Sequence, residues 1–414
     1  MQDRRHQLVI LLFTLVQLIL VFVLGYTPYP DSEGYIALAR ESLSLDGGSL
    51  YPVAHQLNHY AFLWNLGSIN VVIASLWMTG SIMPLLVLYA LMKGATAWFL
   101  HQSASALSGR HTAAVVLWLY VLYPANYGEA TSVLSEVPFI CLAMGAVWMC
   151  VCKGWYVGSG ILLAVANWMR PFSIVFIVAL IVWFLFNRKK TLRLLCGYAA
   201  AICLIGSLSY LRTGLFLYQA KTGWMALAQY SWDHDSQRDA SIGNPSVVCQ
   251  DSTLNVTEKD RTWRSMFFTW LADNKTEYFR QMPAKLVNTY ISDNVNFCAF
   301  IPQKQEKDYL YEPLSLPNIL SRFPHLQPVQ WLALLNLLFY YCLLLTAVLA
   351  VFKCNWRHQL LPMAVIASGT LMLLLVGHGE ARFHQPFMPF FMLLAASYIT
   401  LKTEKHEPAT HPVD

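Results

Sequence analysis

Apolar runs, several of them about 20 residues long, recur along most of the chain and are separated by short polar or basic clusters. A run of that length matches the roughly 30 Å of hydrocarbon that a helix crosses, with every backbone group satisfied internally. The pattern predicts ten spans: Leu8 to Gly25, Ile82 to Gln102, Thr112 to Tyr123, Val137 to Cys152, Tyr156 to Trp168, Ser173 to Phe186, Leu192 to Leu211, Trp331 to Phe352, Leu360 to Val376 and Pro386 to Leu401. The expected fold class is therefore an all-α polytopic membrane protein with about ten transmembrane helices. The first run follows Arg4 and Arg5 as a signal peptide would. It leads into Tyr26-Thr27-Pro28-Tyr29-Pro30, which offers no small-residue cleavage site, so it reads as a retained helix.

The stretch from Tyr60 to Met78 is also apolar, and counting it as a span would reverse the side of everything downstream. Charge decides against it. With ten spans and the N-terminus inside, Arg4, Arg5, Arg110, Lys153, Arg188, Lys189, Lys190, Arg193, Lys353, Arg357, Lys402 and Lys405 all fall on the cytoplasmic side, as the positive-inside rule requires. Residues 60–78 are thus expected to form an interfacial or re-entrant helix on the outer side of the cytoplasmic (inner) membrane.

Composition supports a lipid-built core: of 414 residues 56% are hydrophobic and 12% charged, about half the ionic content of an ordinary soluble domain. The net charge of +5 sits in the clusters between spans, where it orients helices, and this argues against nucleic acid as a partner. Most cysteines lie in or beside apolar runs and behave as small hydrophobes. Cys249 and Cys298 fall in a polar segment and could form a disulfide there. No metal-ligand spacing is present; a divalent metal is compatible with the sequence and not required by it, and no other cofactor is implied. No helix carries a clear small-xxx-small pair, so the sequence specifies no oligomeric state.

Three parts follow. Residues 1–211 form an N-terminal membrane module whose first outer loop is 26–81. Residues 212–328, with twelve of the chain's 23 acidic residues, form an extracytoplasmic segment expected to be a small mixed domain; it includes an amphipathic stretch from Arg261 to Tyr290 and the residues Trp232, Trp263 and Trp270. Residues 329–414 form a C-terminal membrane module with a short cytoplasmic tail. Chemistry is expected between the first outer loop and the large segment.

The first loop opens Pro30-Asp31-Ser32-Glu33-Gly34-Tyr35 and continues amphipathically through Ile36, Leu38, Ala39 and Leu43 against Arg40 and Glu41. Asp31 at the start of this helix could cap it or act as a general base, and the roles are compatible. Near helix N-terminal amides it stays ionised, ready to accept a proton from an attacking hydroxyl, an effect of about 10² to 10⁴ in rate. Glu33 either assists or faces solvent. Between the last two spans, Gly377-His378-Gly379-Glu380-Ala381-Arg382-Phe383-His384-Gln385-Pro386 resembles an anion site in which the Arg382 fork suits phosphate oxygens; the alternative is headgroup anchoring. His378, Lys221 and Arg170 are further phosphate-binding candidates, and Glu136, Tyr35, Glu380 and His384 substrate-binding candidates. Lys93, near the middle of the second span, is a candidate because a charge there is costly; snorkelling or burial against a carboxylate are its alternatives.

Asp31-Ser32-Glu33 with Tyr35, Pro124 leading to Ser135-Glu136, the Arg170-Pro171 turn, and Arg382-Phe383 followed by Pro386 and Pro389 together resemble the GT-C superfamily of membrane glycosyltransferases. The likeness is to the bacterial relatives of dolichyl-phosphate-mannose protein mannosyltransferases and the lipid A aminoarabinose transferase, and it extends over residues 31 to 389. It implies inverting transfer of a sugar from a polyprenyl-phosphate donor to a lipid, glycan or protein acceptor on the extracytoplasmic face, with Asp31 as base and Arg382 on the lipid phosphate. The family often has Tyr where this chain has Phe383, and many members pair Asp with Glu directly, whereas Ser32 intervenes here. A lipid-linked glycan transporter or flippase would need many spans and phosphate-binding arginines too, but also midplane ionisable residues and inverted repeats. Only Lys93 meets that demand and no repeat is visible. An O-antigen polymerase or ligase has no clear need of Asp31.

Overall fold

The computed structural model describes residues 2–46, 65–233, 244–300, 314, 316–376 and 381–404, and among these every regular element is helical. Among the described residues, six helices are long and apolar enough to cross a membrane: Arg4–Leu24, Met83–Ser108, Glu136–Lys153, Arg188–Thr213, Pro328–Lys353 and Trp356–Val376. The chain is thus a multi-pass, all-helical membrane protein. Helix α1 (Gln2–Leu24) shows why lipid is the solvent: it buries Phe13, Gln17 and Val21, spaced four apart on one stripe, and leaves Leu8, Leu11, Leu15, Ile19 and Phe22 exposed on its other faces. A helix apolar all round is soluble only in hydrocarbon.

After α1 the chain turns into α2 (Pro30–Asp46), whose Tyr35, Ile36, Leu38 and Ala39 are buried while Arg40 is exposed, as the amphipathic pattern predicts. Helix α3 (Leu66–Thr79) falls within the ambiguous apolar stretch. At 1.5 Å per residue its 14 residues reach about 21 Å, well short of the hydrocarbon thickness. It packs against α2 and, through Gly67, against the backbone of Trp168 and Met169.

Helix α4 (Met83–Ser108) packs on α1, on α5 (Arg110–Leu122) and on α6 (Glu136–Trp148). A π-helical turn, Met149–Lys153, ends α6, and Gly154, at a left-handed φ of 65°, reverses the chain into α7 (Tyr156–Met169). Helices α8 (Ser173–Trp183) and α9 (Arg188–Thr213) follow. Helices α7 and α9 lie almost backbone to backbone: a Cβ on Gly160 would sit 2.1 Å from the Leu194 carbonyl oxygen and one on Gly197 2.1 Å from that of Val157. Without a hydrophobic force between helices in lipid, such close approach is what holds them.

In the next segment every regular element among the described residues is helical, where a mixed domain was expected: α10 (Thr222–Asp233), α11 (Pro245–Gln250), α12 (Val256–Asp273), α13 (Lys275–Arg280), α14 (Met282–Tyr290), a 3-10 turn (Val295–Phe300) and α15 (Leu316–Arg322). The amphipathic stretch expected from Arg261 to Tyr290 is broken into pieces at Asn274 and again at Gln281, just before Pro283. Asn255 and Glu258 form a capping box that starts α12, whose Trp263 and Trp270 are essentially fully buried and anchor this layer. The layer is tied to α17 (Trp356–Val376), which follows α16 (Pro328–Lys353), by the Tyr278 hydroxyl donating to the Leu375 carbonyl at 2.6 Å. A 3-10 turn, Ala381–Phe387, then leads into α18 (Met388–Glu404); Gly369 of α17 lets the Phe387 ring approach to where a Cβ would be 2.2 Å away.

Candidate functional site

In α2, Asp31 and Tyr35 are four residues apart and therefore share a face, and both line one cavity. Glu33, two residues from Asp31, is rotated by about 200° on the helix; it does not line that cavity and lies near Tyr26 instead. The Tyr35 hydroxyl is buried and accepts a hydrogen bond from Asn65 Nδ2 at 2.8 Å. Burial, reinforced by Asp31 and Glu136, pushes its ionisation well above the ordinary tyrosine range, so it stays a neutral hydroxyl.

Pro171 disfavours helix at the residue before it, and α7 ends at Arg170 in an extended conformation, φ −155° and ψ 130°. The Arg170 side chain then reaches Glu136, the first residue of α6, at 2.7 Å. Both are nearly fully buried, a costly arrangement unless hydrogen bonds complete it. Ser135 supplies them: its hydroxyl accepts from Arg170 Nη1 at 3.1 Å and Asn65 Nδ2 at 3.0 Å and donates to Glu136 Oε2 at 3.3 Å. Phe172 and Phe383 flank the Arg170 guanidinium at 5.2 and 5.3 Å.

Arg382, on the 3-10 turn near the other end of the chain, completes the cluster. Its Nη1 lies 2.7 Å from Asp31 Oδ2 and its Nε 3.5 Å from Glu136 Oε1. Glu136 is therefore the hub, holding both guanidinium groups, and two carboxylates balance two arginines. Arg382 and Asp31 keep 15% and 22% of their side-chain surface open while Glu136 keeps 1%, so Asp31 and Arg382 are the pair a ligand can reach.

The cavity they line has a volume of about 670 Å³, within the usual range for small-molecule sites. Asp31, Arg170 and Arg382 contribute charge to its lining, and Met372, Leu373 and Val376 at the last turns of α17 contribute apolar surface. The segment Tyr218 to Leu227 also lines the cavity, and there Lys221 pairs with Asp260 at 3.6 Å. Burial raises the Asp260 carboxyl and Lys221 opposes that shift. Asp31, Tyr35, Arg170, Lys221 and Arg382 thus share one cavity, with Glu136 beneath it. Asn65 and Asp260, which sequence reasoning did not single out, join them in the lining.

Other candidates fall elsewhere. His384, two residues from Arg382 in a turn of three residues per revolution, points the other way and is fully buried, with Nδ1 2.6 Å from the Thr289 carbonyl. It does not line the cavity, contrary to the substrate-binding role expected of it. Lys93 is buried in α4 and paired with Glu129, and it donates to Asn126 Oδ1 at 2.9 Å, which is the burial-against-carboxylate alternative. His378 and Glu380 lie outside the described residues, as does the side chain of Cys298, so the bridge to Cys249 falls outside them too. No group of three or more His, Cys, Asp or Glu side chains converges among the described residues. The sequence matches no family model and no curated protein.

Proposed function

We propose that the protein is a membrane glycosyltransferase of GT-C type that takes a sugar from a polyprenyl-phosphate donor on the outer face of a cytoplasmic membrane. The observation that carries this reading is the meeting of Asp31 and Arg382 at 2.7 Å in the lining of a cavity that also exposes apolar side chains of α17. Such a cavity suits a lipid phosphate, whose head needs cations and whose chain needs hydrocarbon. In this reading the six long helices cross together with α5, α7, α8 and α18, which at 11 to 17 residues are no better than α3 by length; the distribution of basic residues, not length, is what sets α3 apart. This leaves α3 interfacial and the charged network on the extracytoplasmic side, beneath α10 to α14.

In this reading the Asp31 carboxylate accepts the proton of an acceptor hydroxyl as its oxygen attacks the anomeric carbon. The bond from that carbon to the phosphate oxygen breaks, the electron pair leaves with the lipid phosphate, and configuration inverts. Arg382 neutralises the charge that develops on the departing oxygen, with Lys221 in the lining of the same cavity. Arg170 and Glu136 hold Arg382 in place rather than contact the reacting atoms.

The test is transfer of radiolabelled sugar from polyprenyl-phosphate donors in membranes carrying the wild type, Asp31→Asn or Arg382→Ala. Transfer by wild type, lost in both variants at equal expression, supports the assignment; donor-independent movement of lipid-linked glycan across vesicles, without transfer, overturns it.

A further inference from the structure

Behind Arg382 the same 3-10 turn presents a second polar cluster, sealed from the cavity. The His384 ring is stacked between Tyr290 and Tyr340, with centroids 5.4 and 5.3 Å away and planes inclined by 30° and 28°. Its Nδ1 faces the Thr289 carbonyl, which can only accept, so Nδ1 carries a hydrogen. Its Nε2 faces Asp293 Oδ1 at 3.4 Å, and Asp293 is 1% exposed. A neutral ring protonated on Nδ1 would direct a lone pair at an ionised carboxylate. One proton placed on either atom removes that repulsion.

We propose that Asp293 and His384 form a one-proton couple that positions Arg382 for phosphate, an inference that rests on the donor reading above. His384 and Arg382 share one short turn, so fixing the ring between two tyrosines and a carboxylate fixes the backbone from which the guanidinium extends. Neither partner lines the cavity, which makes them positioning residues. The couple is braced from every side. Asn336 donates to the Asp293 carbonyl at 3.0 Å, and the Tyr340 hydroxyl donates to the Tyr290 carbonyl at 3.1 Å. Burial pushes the Asp293 carboxyl up, His384 opposes that, and Gln385 and Lys93 also act on it. A cavity of about 20 Å³, lined by Lys93, Asn126, Glu129, Asp293 and Gln385 and otherwise mostly by apolar groups, has room for about one water beside Asp293 and the Lys93–Glu129 pair.

The experiment measures equilibrium binding of undecaprenyl phosphate to the full chain in nanodiscs. Asp293→Leu, of similar size but with no polar group, is expected to weaken binding about tenfold, since misplacement by an ångström costs up to about 10²-fold at a positioned site. Asp293→Asn supplies an N–H to a neutral Nε2 and is expected to bind within about twofold of wild type. Added to Arg382→Ala, Asp293→Leu should cost nothing further, because both changes act through one guanidinium. Wild-type affinity in Asp293→Leu, no rescue by Asp293→Asn, or additivity with Arg382→Ala would overturn the couple. If Arg382→Ala itself binds normally, the donor reading fails instead. The couple is then judged by amide exchange over 381–387, which must rise in Asp293→Leu and stay at the wild-type rate in Asp293→Asn, and an unchanged rate in Asp293→Leu refutes it.

Discussion

Replacing Asp31 with Asn separates two roles that the geometry joins in one contact. The carboxylate proposed as the base is held at 2.7 Å by the arginine proposed to bind the donor phosphate, so a phosphate competes with Asp31 for the Arg382 guanidinium. A hydrogen bond to a charged group contributes about 1.5–3 kcal/mol net, a neutral one about 0.5–1.5 kcal/mol. Asp31→Asn should therefore relieve about 1–2 kcal/mol of competition. Arg382 stays anchored, because Glu136 still holds its Nε at 3.5 Å. Binding of undecaprenyl phosphate is expected to tighten by about 5- to 30-fold, while transfer falls by about 10²- to 10⁴-fold with the base gone. Titration in nanodiscs at fixed ionic strength reads the first quantity and radiolabel transfer the second. Weaker phosphate binding in Asp31→Asn, or transfer that survives it, would refute the two roles.

Arg170→Met leaves Glu136 buried without its nearest cation and should cost about 3–5 kcal/mol, most of it recovered in Glu136→Gln/Arg170→Met, as thermal unfolding in detergent would show. By the same reasoning Lys93→Met should lower the unfolding temperature more than Lys93→Met/Glu129→Gln does, and equal losses would mean that the pair carries no buried charge. Lys285, 3.6 Å from the Tyr230 ring centroid, is pushed by burial from 10.5 down to about 8. Between those values the unfolded chain binds more protons than the folded one, so stability should rise with pH from about 8 to 10.5 and stay flat below. Lys285→Met should abolish that rise in a pH series of unfolding temperatures.

The helices were legible along the chain because a helix is decided locally. The apolar run from Leu8 to Gly25 and the alternation around Ile36, Leu38 and Ala39 each state a period, and the period states which face is buried. The same local rule could have separated Asp31 and Tyr35, four apart on one face, from Glu33 on another, and Arg382 from His384. Where the rule failed, a local break won: Asn274 and the Gln281–Pro283 step cut one amphipathic stretch into three helices. The sequence by itself thus determined a helical chain that requires lipid, and which charged residues are too costly there to be casual. Tertiary structure alone decided that Glu136 is the hub between Arg170 and Arg382, that Asn65 and Ser135 complete it, and that Asp293 meets His384 rather than solvent. These partners are brought together by the packing of helices far apart in the chain, and a one-dimensional period carries no information about which distant helix ends will meet.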